Sequence, residues 1–545
     1  MHPPARRALP LWAALLVALA AGPILDAGFP DRGWWPMTFV GIGLVLGALI
    51  GRSSWGSFLV GFVASMSFYL MHIQWASLFL GLLPMIALST LESLFFAVGA
   101  TGITLAYRWV PREWRGTWAR LLFLPLIVAG LWTAREAIAS VWPYGGFAWG
   151  RVALSQSESP FAALFGWVGV SGVSFIMVFL VAVVVECLRL RTADRLLRAA
   201  VAVGLAAVIL AIPAFPVITD GTMRVAAVQG NGKAGYFDSR ERGDLLKAQV
   251  EATLPLIKQN ADSDEKVDVV VWPEGGSDSS PLDDAYTAKV FDYVSEEMNA
   301  PFISWAVTTR AGKNGAPETY YNTSMLWKAG EGQLDYYDKK HPVPFGEYVP
   351  DRAFWRPFAP DLIDLIGREY TPGTTDTVFD VDGIVAAVNI CFDIVDDQIL
   401  TDSVEQGARI IFAQSNTADF GHTDESVQQL AIARVRAIEL GRSVVNISTV
   451  GTSAIIAPDG STIDRLPTFT ADTMVDDVPL SSVTTPAVLL GRQIEWLVSG
   501  IGVLGVVLAG LLGRGPKIQN GQHSKRPESK TASPKAGRKE NRTRR

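Results

Sequence analysis

Apolar positions fall into two regimes along the chain. Over residues 1–220 they form long runs near 9–27, 34–51, 55–73, 85–107, 118–138, 162–187 and 196–216, and an eighth lies near 496–513. A helix needs about 20 residues to cross a bilayer, so each run is read as a span. Arg6 and Arg7 precede the first run, and Ala20-Ala21-Gly22 near its end is small, as in a signal peptide. Its length and the span that follows at once favour an anchor instead.

Between 222 and 484 the runs shorten to 5–8 residues bounded by Gly, Pro, Asp and Asn. Arg224–Gln229, Val267–Trp272, Phe302–Val307, Ser324–Trp327, Ile384–Ile390, Ile410–Ala413 and Ser443–Ile447 read as strands. Helical periods lie near 240–258, 283–298, 394–406 and 424–440. In the last of these, Val427, Leu430, Ala431, Val435 and Ile438 share one face. Strands alternating with helices predict an α/β layered domain. No strand runs into G-x-G-x-x-G, which excludes a dinucleotide-binding unit. The expected organisation is a seven-span bundle over 1–220, an α/β domain over 221–485, an eighth span over 490–513 and a tail over 514–545.

Charge orients this arrangement. Arg52, then Arg108, Arg112, Arg115 and Arg120, then Arg189, Arg191, Arg195 and Arg198 mark alternate short loops. The intervening loops hold Arg32, no cation in 74–84, and Arg151 alone in 139–161. Cations concentrate on the cytoplasmic side, so the N-terminus is expected inside and the α/β domain outside. The tail carries eleven Lys/Arg against two Glu and returns to the cytoplasm. Its composition is that of a disordered segment attracted to anionic headgroups. Nucleic acid is not the expected partner beside eight membrane spans. A hydrophobic share of 49% and 17 Trp agree with a membrane protein, and two cysteines exclude a disulfide scaffold.

Cys391 ends the strand Ile384–Ile390, with helix-compatible sequence after it. It is either a lone catalytic thiol or an ordinary buried one. Cys187, the other cysteine, ends a span on the opposite side of the membrane and reads as a packed helix-end residue. Glu274 ends a strand behind Trp272-Pro273, where burial raises a carboxyl toward a general base's range; a loop or capping glutamate is the alternative. Lys339-Lys340 end another strand. One of the two, turned inward, would lower a nearby thiol's pKa and stabilise an oxyanion; two solvated lysines are the alternative. His341 and His422 are the only histidines in the domain, too few for a closed zinc site, so no metal and no cofactor are expected.

Glu, Lys and Cys, each after a strand and in that order, resemble the triad of the nitrilase superfamily. Longer strings narrow the resemblance. Tyr337-x-Lys339-x-x-x-Val343-Pro-Phe-Gly-Glu-Tyr-Val-Pro350, Val225-Ala-Ala-Val-Gln-Gly-Asn231 and Ala433-Arg434-x-Arg436-Ala437-x-Glu439-x-Gly441-Arg442 resemble the apolipoprotein N-acyltransferases. So does the layout, over about residues 9–513. The resemblance implies a multi-pass helical bundle of eight spans carrying an exterior nitrilase-like αββα sandwich. It implies Glu274 as general base, Lys339 as oxyanion-stabilising cation and Cys391 as nucleophile. Lys339 is preferred to Lys340 because it stands eight residues before Glu347, as in the family motif. Glu347 and Asp393 would be auxiliary carboxylates. The family's Cys-Tyr-Glu reads Cys391-Phe392-Asp393 here, its Asn-Asp-Ala-Trp-Phe-Gly reads Asn416–Gly421, and its Arg-Ala-Thr-Asn-Asn-Gly reads Asn446–Gly451.

The implied reaction is ping-pong. Glu274 takes the Cys391 proton, the thiolate attacks a phospholipid ester, and the thioester acylates the α-amine of an S-diacylglyceryl cysteine on a lipoprotein. Phe392, Trp355, Phe358 and Trp149 are the candidate substrate-binding residues. Ala353–Phe358 with Leu362–Ile366 is either an arm dipping into lipid or a packed core segment. Two rival readings remain: a membrane-tethered amidase using water, and a scaffold docking a polyprenol-phosphate glycosyltransferase through the basic tail.

Overall fold

The computed structural model describes residues 9–190, 195–312 and 317–513. The expected basic tail 514–545 lies outside the described residues, as do Arg6, Arg7 and Arg191.

The N-terminal bundle comprises α1 (Leu11–Asp26), α2 (Pro36–Leu49), α3 (Ser54–His72), the short α4 (Ala76–Leu80), α5 (Leu82–Glu113), α6 (Leu124–Ala139), α7 (Phe165–Arg189) and α8 (Arg195–Leu210). Among the described residues, five helical segments are long and apolar enough to cross a membrane: α3, α5, the 119–139 segment containing α6, the 160–189 segment containing α7, and the C-terminal α15 (Pro486–Leu512). Helices α1 and α2 are apolar but shorter. Cys187 lies buried in α7, and no disulfide joins it to Cys391.

Helix α15 begins about ten residues before the expected apolar run. Arg492 and Glu495 interrupt the hydrophobic signal there, but Thr485 caps the helix by accepting from the Val488 N–H at 3.3 Å, and Pro486 takes the first position. Ser171 of α7 donates to Glu495 at 2.6 Å and Arg492 donates to Gln398 of the sandwich at 2.6 Å, so both polar side chains have partners. Further along, Gly130 of α6 meets Gly502 of α15. A Cβ on Gly130 would stand 2.3 Å from the Val498 carbonyl oxygen, so only glycine permits this backbone approach.

The remaining chain forms two six-stranded sheets. Its strands are β1 (Thr222–Gln229), β2 (Val269–Val271), β3 (Phe302–Arg310), β4 (Thr319–Lys328), β5 (Gly332–Asp338), β6 (Val378–Val381), β7 (Ile384–Ile390), β8 (Ile410–Ser415), β9 (Ser443–Ser448), β10 (Ala454–Ile456), β11 (Thr462–Arg465) and β12 (Asp472–Pro479). The first sheet runs β12-β1-β2-β3-β4-β5 and the second β11-β10-β9-β8-β7-β6. Strands β1, β2 and β3 are parallel in one sheet and β7, β8 and β9 in the other. Strands β6, β10, β11 and β12 were not among those read from the sequence, and the first three are only three or four residues long.

Val225, Val271 and Leu326 of the first sheet interleave with Val388, Phe412 and Ile447 of the second in one apolar layer. Outside the first sheet lie α9 (Asp244–Asp262) and α10 (Ala285–Met298), closing a core around Trp272, Phe291 and Phe302. Two short turns, α11 (Arg352–Trp355) and α12 (Pro360–Ile363), follow β5. Outside the second sheet lie α13 (Asp397–Glu405) and α14 (Glu425–Leu440). Their core runs without a break into that of the bundle. The result is an αββα sandwich whose second face rests on the membrane helices.

Candidate active site

Each implied triad residue stands just past the C-terminal end of a strand, where backbone hydrogen bonding stops and side chains turn into the crevice. Glu274 is the third residue after β2, Lys339 follows β5 directly, and Cys391 follows β7 directly. Cys391 opens a 3-10 turn through Val395 and has φ of +52°, a left-handed conformation that a non-glycine residue adopts only under constraint.

Asp393 supplies much of that constraint. Its Oδ2 accepts from the Ile390 N–H at 3.1 Å and from the Tyr337 hydroxyl at 2.8 Å, tying the cysteine turn to β5 across the sandwich. The carboxyl is fully buried, and burial pushes its pKa up to about 6 against the opposing Lys339 charge. From α14 beneath, Arg436 donates to the carbonyls of Ile394 at 3.0 Å and Val395 at 2.6 Å, and to Asp397 at 2.6 Å. Arg151 of the bundle grips Asp397 at 2.7 and 2.8 Å. The turn is therefore held from both sides.

Lys339 is the inward member of the lysine pair; it is fully buried, while Lys340 is half-exposed. Its N–H donates to the Asn322 carbonyl at 2.8 Å, continuing the β5 edge, and its Nζ pairs with Glu347 Oε2 at 2.8 Å. Val343–Glu347 forms a turn closed by Glu347 N–H to Val343 O at 2.8 Å and Val343 N–H to Glu347 Oε2 at 2.6 Å. This returns the Glu347 carboxylate to Lys339. Burial works against the ammonium, but Glu347, Cys391 and Glu274 together hold its pKa above the ordinary lysine value.

Glu274 is buried, and burial lifts its carboxyl to about 7, with the Glu347 charge adding and Lys339 opposing. The Cys391 side chain lies beside it and acts to lower its pKa. Burial also drives the Cys391 thiol well above its usual range. The Glu274 charge adds to that rise, and Lys339 opposes it without prevailing. The ammonium acts on the thiol in the expected direction, lowering its pKa, but desolvation outweighs it. The resting sulfur is a thiol beside a carboxyl of near-neutral pKa, so attack requires proton transfer to Glu274.

Several residues escaped the sequence reading. Asn322 of β4 donates to Glu274 Oε1 at 2.9 Å and Glu347 Oε1 at 2.7 Å, while its side-chain Oδ1 accepts from Trp305. Gln414 of β8 donates to the Trp272 carbonyl at 2.6 Å and accepts from Ser324, joining the sheets just behind Glu274. An amide inside an otherwise apolar strand is the signal both left in the sequence. Glu425, in the first turn of α14, is buried as well, with burial and then Glu274 raising its pKa to about 8. It carried no motif.

The mouth is aromatic. Phe392 stacks on Trp149 and Phe147, with ring centroids 6.0 Å away in each case. Trp149 is itself buried and donates to Gln428 of α14 at 2.7 Å, so it backs Phe392 instead of facing the cleft. Tyr144, Gly146, Pro344 and Phe392 line a cleft between the bundle and the sandwich. Phe345 packs on Trp355 at 5.6 Å, and beyond it Phe354 and Phe358 stand 60% and 72% exposed. In the same segment, Ile363 and Ile366 are buried against Leu80 and Val349. The 353–366 segment thus has a packed base and an exposed apolar tip.

Comparison with known proteins agrees with this construction. Residues 21–183 match the family model described as the apolipoprotein N-acyltransferase N-terminal domain, and residues 224–486 match carbon-nitrogen hydrolase. The apolipoprotein N-acyltransferase of Mycolicibacterium smegmatis is 30% identical over 525 residues, covering 90% of this chain and 84% of that protein. That of Pseudomonas aeruginosa is 28% identical over 529 residues, covering 93% and 97%. A membrane bundle and a hydrolase sandwich joined in one chain, with relatives matched across nearly the whole of both, place this protein in the apolipoprotein N-acyltransferase family.

Proposed function

We propose that this enzyme moves a fatty acyl group from a membrane phospholipid, through a thioester on Cys391, to the α-amine of the S-diacylglyceryl cysteine of a lipoprotein. The observation that carries the chemistry is the meeting of Glu274, Lys339 and Cys391 in one buried crevice. Glu274 receives the thiol proton, and the sulfur attacks the ester carbonyl. Lys339, held in place by Glu347, faces the oxyanion that forms. Collapse expels lysophospholipid, whose alkoxide takes the proton from Glu274. The acceptor amine then attacks the thioester and returns Cys391 to the thiol. Asn322 orients both carboxylates, and Asp393 holds the cysteine turn.

The acyl donor is anchored by its chains at about 0.8 kcal/mol per buried methylene. Chemistry at the membrane surface avoids extracting them. The exposed Phe354 and Phe358 supply an apolar arm for that surface, and the cleft beside Phe392 supplies an entrance. With α1, α2 and α8 counted as crossings, the reading is an eight-span protein with the sandwich on the extracytoplasmic face. The loop cations support that orientation.

Mass spectrometry of a lipoprotein N-terminus made with and without this protein tests the function. An amide-linked acyl group is expected only with the protein; a free α-amine in both samples would end the proposal. For orientation, a cysteine at exposed Glu297 should react with a membrane-impermeant maleimide in intact cells. Protection until lysis would reverse the topology.

A further inference from the structure

Glu425 has a position and a chemistry that the triad leaves unused. It is 3% exposed, and its Oε2 is buried without a hydrogen-bond partner among the described residues. It lies close enough to Glu274 and Cys391 for its charge to act on both. One turn later on the same helix, Gln429 reaches the Cys391 carbonyl at 3.5 Å. A buried carboxyl oxygen with no partner is costly to keep unless a ligand completes it. Among the described residues no cation pairs with it: Lys339 is paired with Glu347, and Arg436 with Asp397 and Glu439. In its ionised form this carboxyl would be completed by a hydrogen-bond donor that visits the crevice and is attracted to a carboxylate.

The second half-reaction brings such a group. A lipoprotein α-amine arrives largely as an ammonium, with three N–H donors and no free lone pair. It must lose one proton before it attacks and another as the amide forms. Glu274 serves one transfer, and nothing else in the triad serves the other.

We propose that Glu425 is the acceptor-amine residue of this site: its carboxylate receives the α-ammonium of the diacylglyceryl cysteine and takes the proton that frees the nitrogen's lone pair. This rests on the acyl-transfer reading above and assigns the partner of its second step. Of the three ammonium protons, one passes to Glu425. The nitrogen–carbon bond forms as the carbon–sulfur bond breaks, a second proton passes through Glu274 to the Cys391 sulfur, and the third stays on the amide. The α-amino group titrates near 7.7–8.0. Burial and the Glu274 charge bring Glu425 to about 8, so the ionised form that takes the proton is present in part at pH 7 and in about half of the molecules near pH 8, where the two groups are matched.

The test separates the two half-reactions in the full-length protein in phospholipid vesicles. Acyl-enzyme is formed from phospholipid alone and followed by intact-protein mass. It is then chased either with a synthetic diacylglyceryl lipopeptide bearing a free α-amine or with hydroxylamine, a small amine already neutral at pH 7. In Glu425→Gln, transfer to the lipopeptide should slow about ten- to a hundred-fold relative to thioester formation, with a raised apparent KM for the lipopeptide. Hydroxylamine cleavage should slow far less, and Glu425→Asp should recover part of the lipopeptide rate. If both chases slow equally, Glu425 is only structural and the proposal is overturned. An unchanged lipopeptide rate overturns it as well. If Glu425→Gln does not fold, Glu425→Asp compared on the two chases decides the same question. Absence of acyl-enzyme in the unmodified protein would instead overturn the thioester reading itself.

Discussion

Helix α10 covers the outer face of one sheet and α14 that of the other. Helix α10 buries Thr287, Phe291, Val294, Ser295 and Met298 on one stripe and gives the rest to solvent. Helix α14 is buried almost all round, including Gln428, Gln429, Arg436 and Glu439. The first is an ordinary amphipathic helix, stabilised by one apolar face. The second is sandwiched between a sheet and a membrane bundle, so each polar group on its second face needs a partner. Gln428 accepts from Trp149, Glu439 accepts from the Val170 N–H at 3.0 Å, and Arg436 holds the cysteine turn. The chemistry gathers on the side where the sandwich is held, because a nucleophile with left-handed φ needs a rigid support.

Four predictions test this contrast, in falling order of effect. Cys391→Ala removes the nucleophile and should abolish acyl-enzyme formation; a thioester of undiminished yield in the variant would move the chemistry elsewhere. Arg436→Met leaves Asp397, Glu439 and two carbonyls short of a partner and should cost about 3–5 kcal/mol, read as a fall in the thermal midpoint. The matched change on the solvent-facing helix, Lys289→Met on α10, should stay within about 0.5 kcal/mol. Equal losses would erase the distinction between the two helices.

The third concerns pH. Glu274 must be ionised to accept the thiol proton, and its carboxyl titrates at about 7. Thioester formation should therefore rise about tenfold per unit below that value and level off above it. The raised thiol stays protonated across this range, so the rise does not come from the thiol itself. A flat profile from pH 5 to 7 would reject Glu274 as the base. The fourth and smallest is Phe392→Leu, which loses the stacking on Trp149 and Phe147 and should cost about 1 kcal/mol beyond the change in buried area. No change in stability or in thioester rate would detach the aromatic mouth from the site.

The apolar runs, the short strands and the strand-end Glu274, Lys339 and Cys391 were legible because each is a local pattern. Period and length report on a single element, and a motif fixes residue types at fixed spacing. Helix α14 shows where that ends. Its sequence displayed one apolar face, and nothing local announced that the opposite face would be buried too. The start of α15 was hidden for a related reason, since Arg492 and Glu495 look like loop residues until Ser171 is seen to receive one of them.

The sequence by itself determined a membrane bundle joined to an α/β domain, and a Glu–Lys–Cys set placed at strand ends. Only the tertiary structure decided which lysine turns inward, that Asn322 bridges two carboxylates, that Asp393 ties the cysteine turn to β5, and that Glu425 lies buried near the sulfur. It also decided the balance at Cys391, where burial outweighs the lysine charge. The physical reason is common to these cases. Hydrogen bonds and desolvation depend on which distant segments fold into contact, and residues far apart in the chain leave no periodic trace of that meeting.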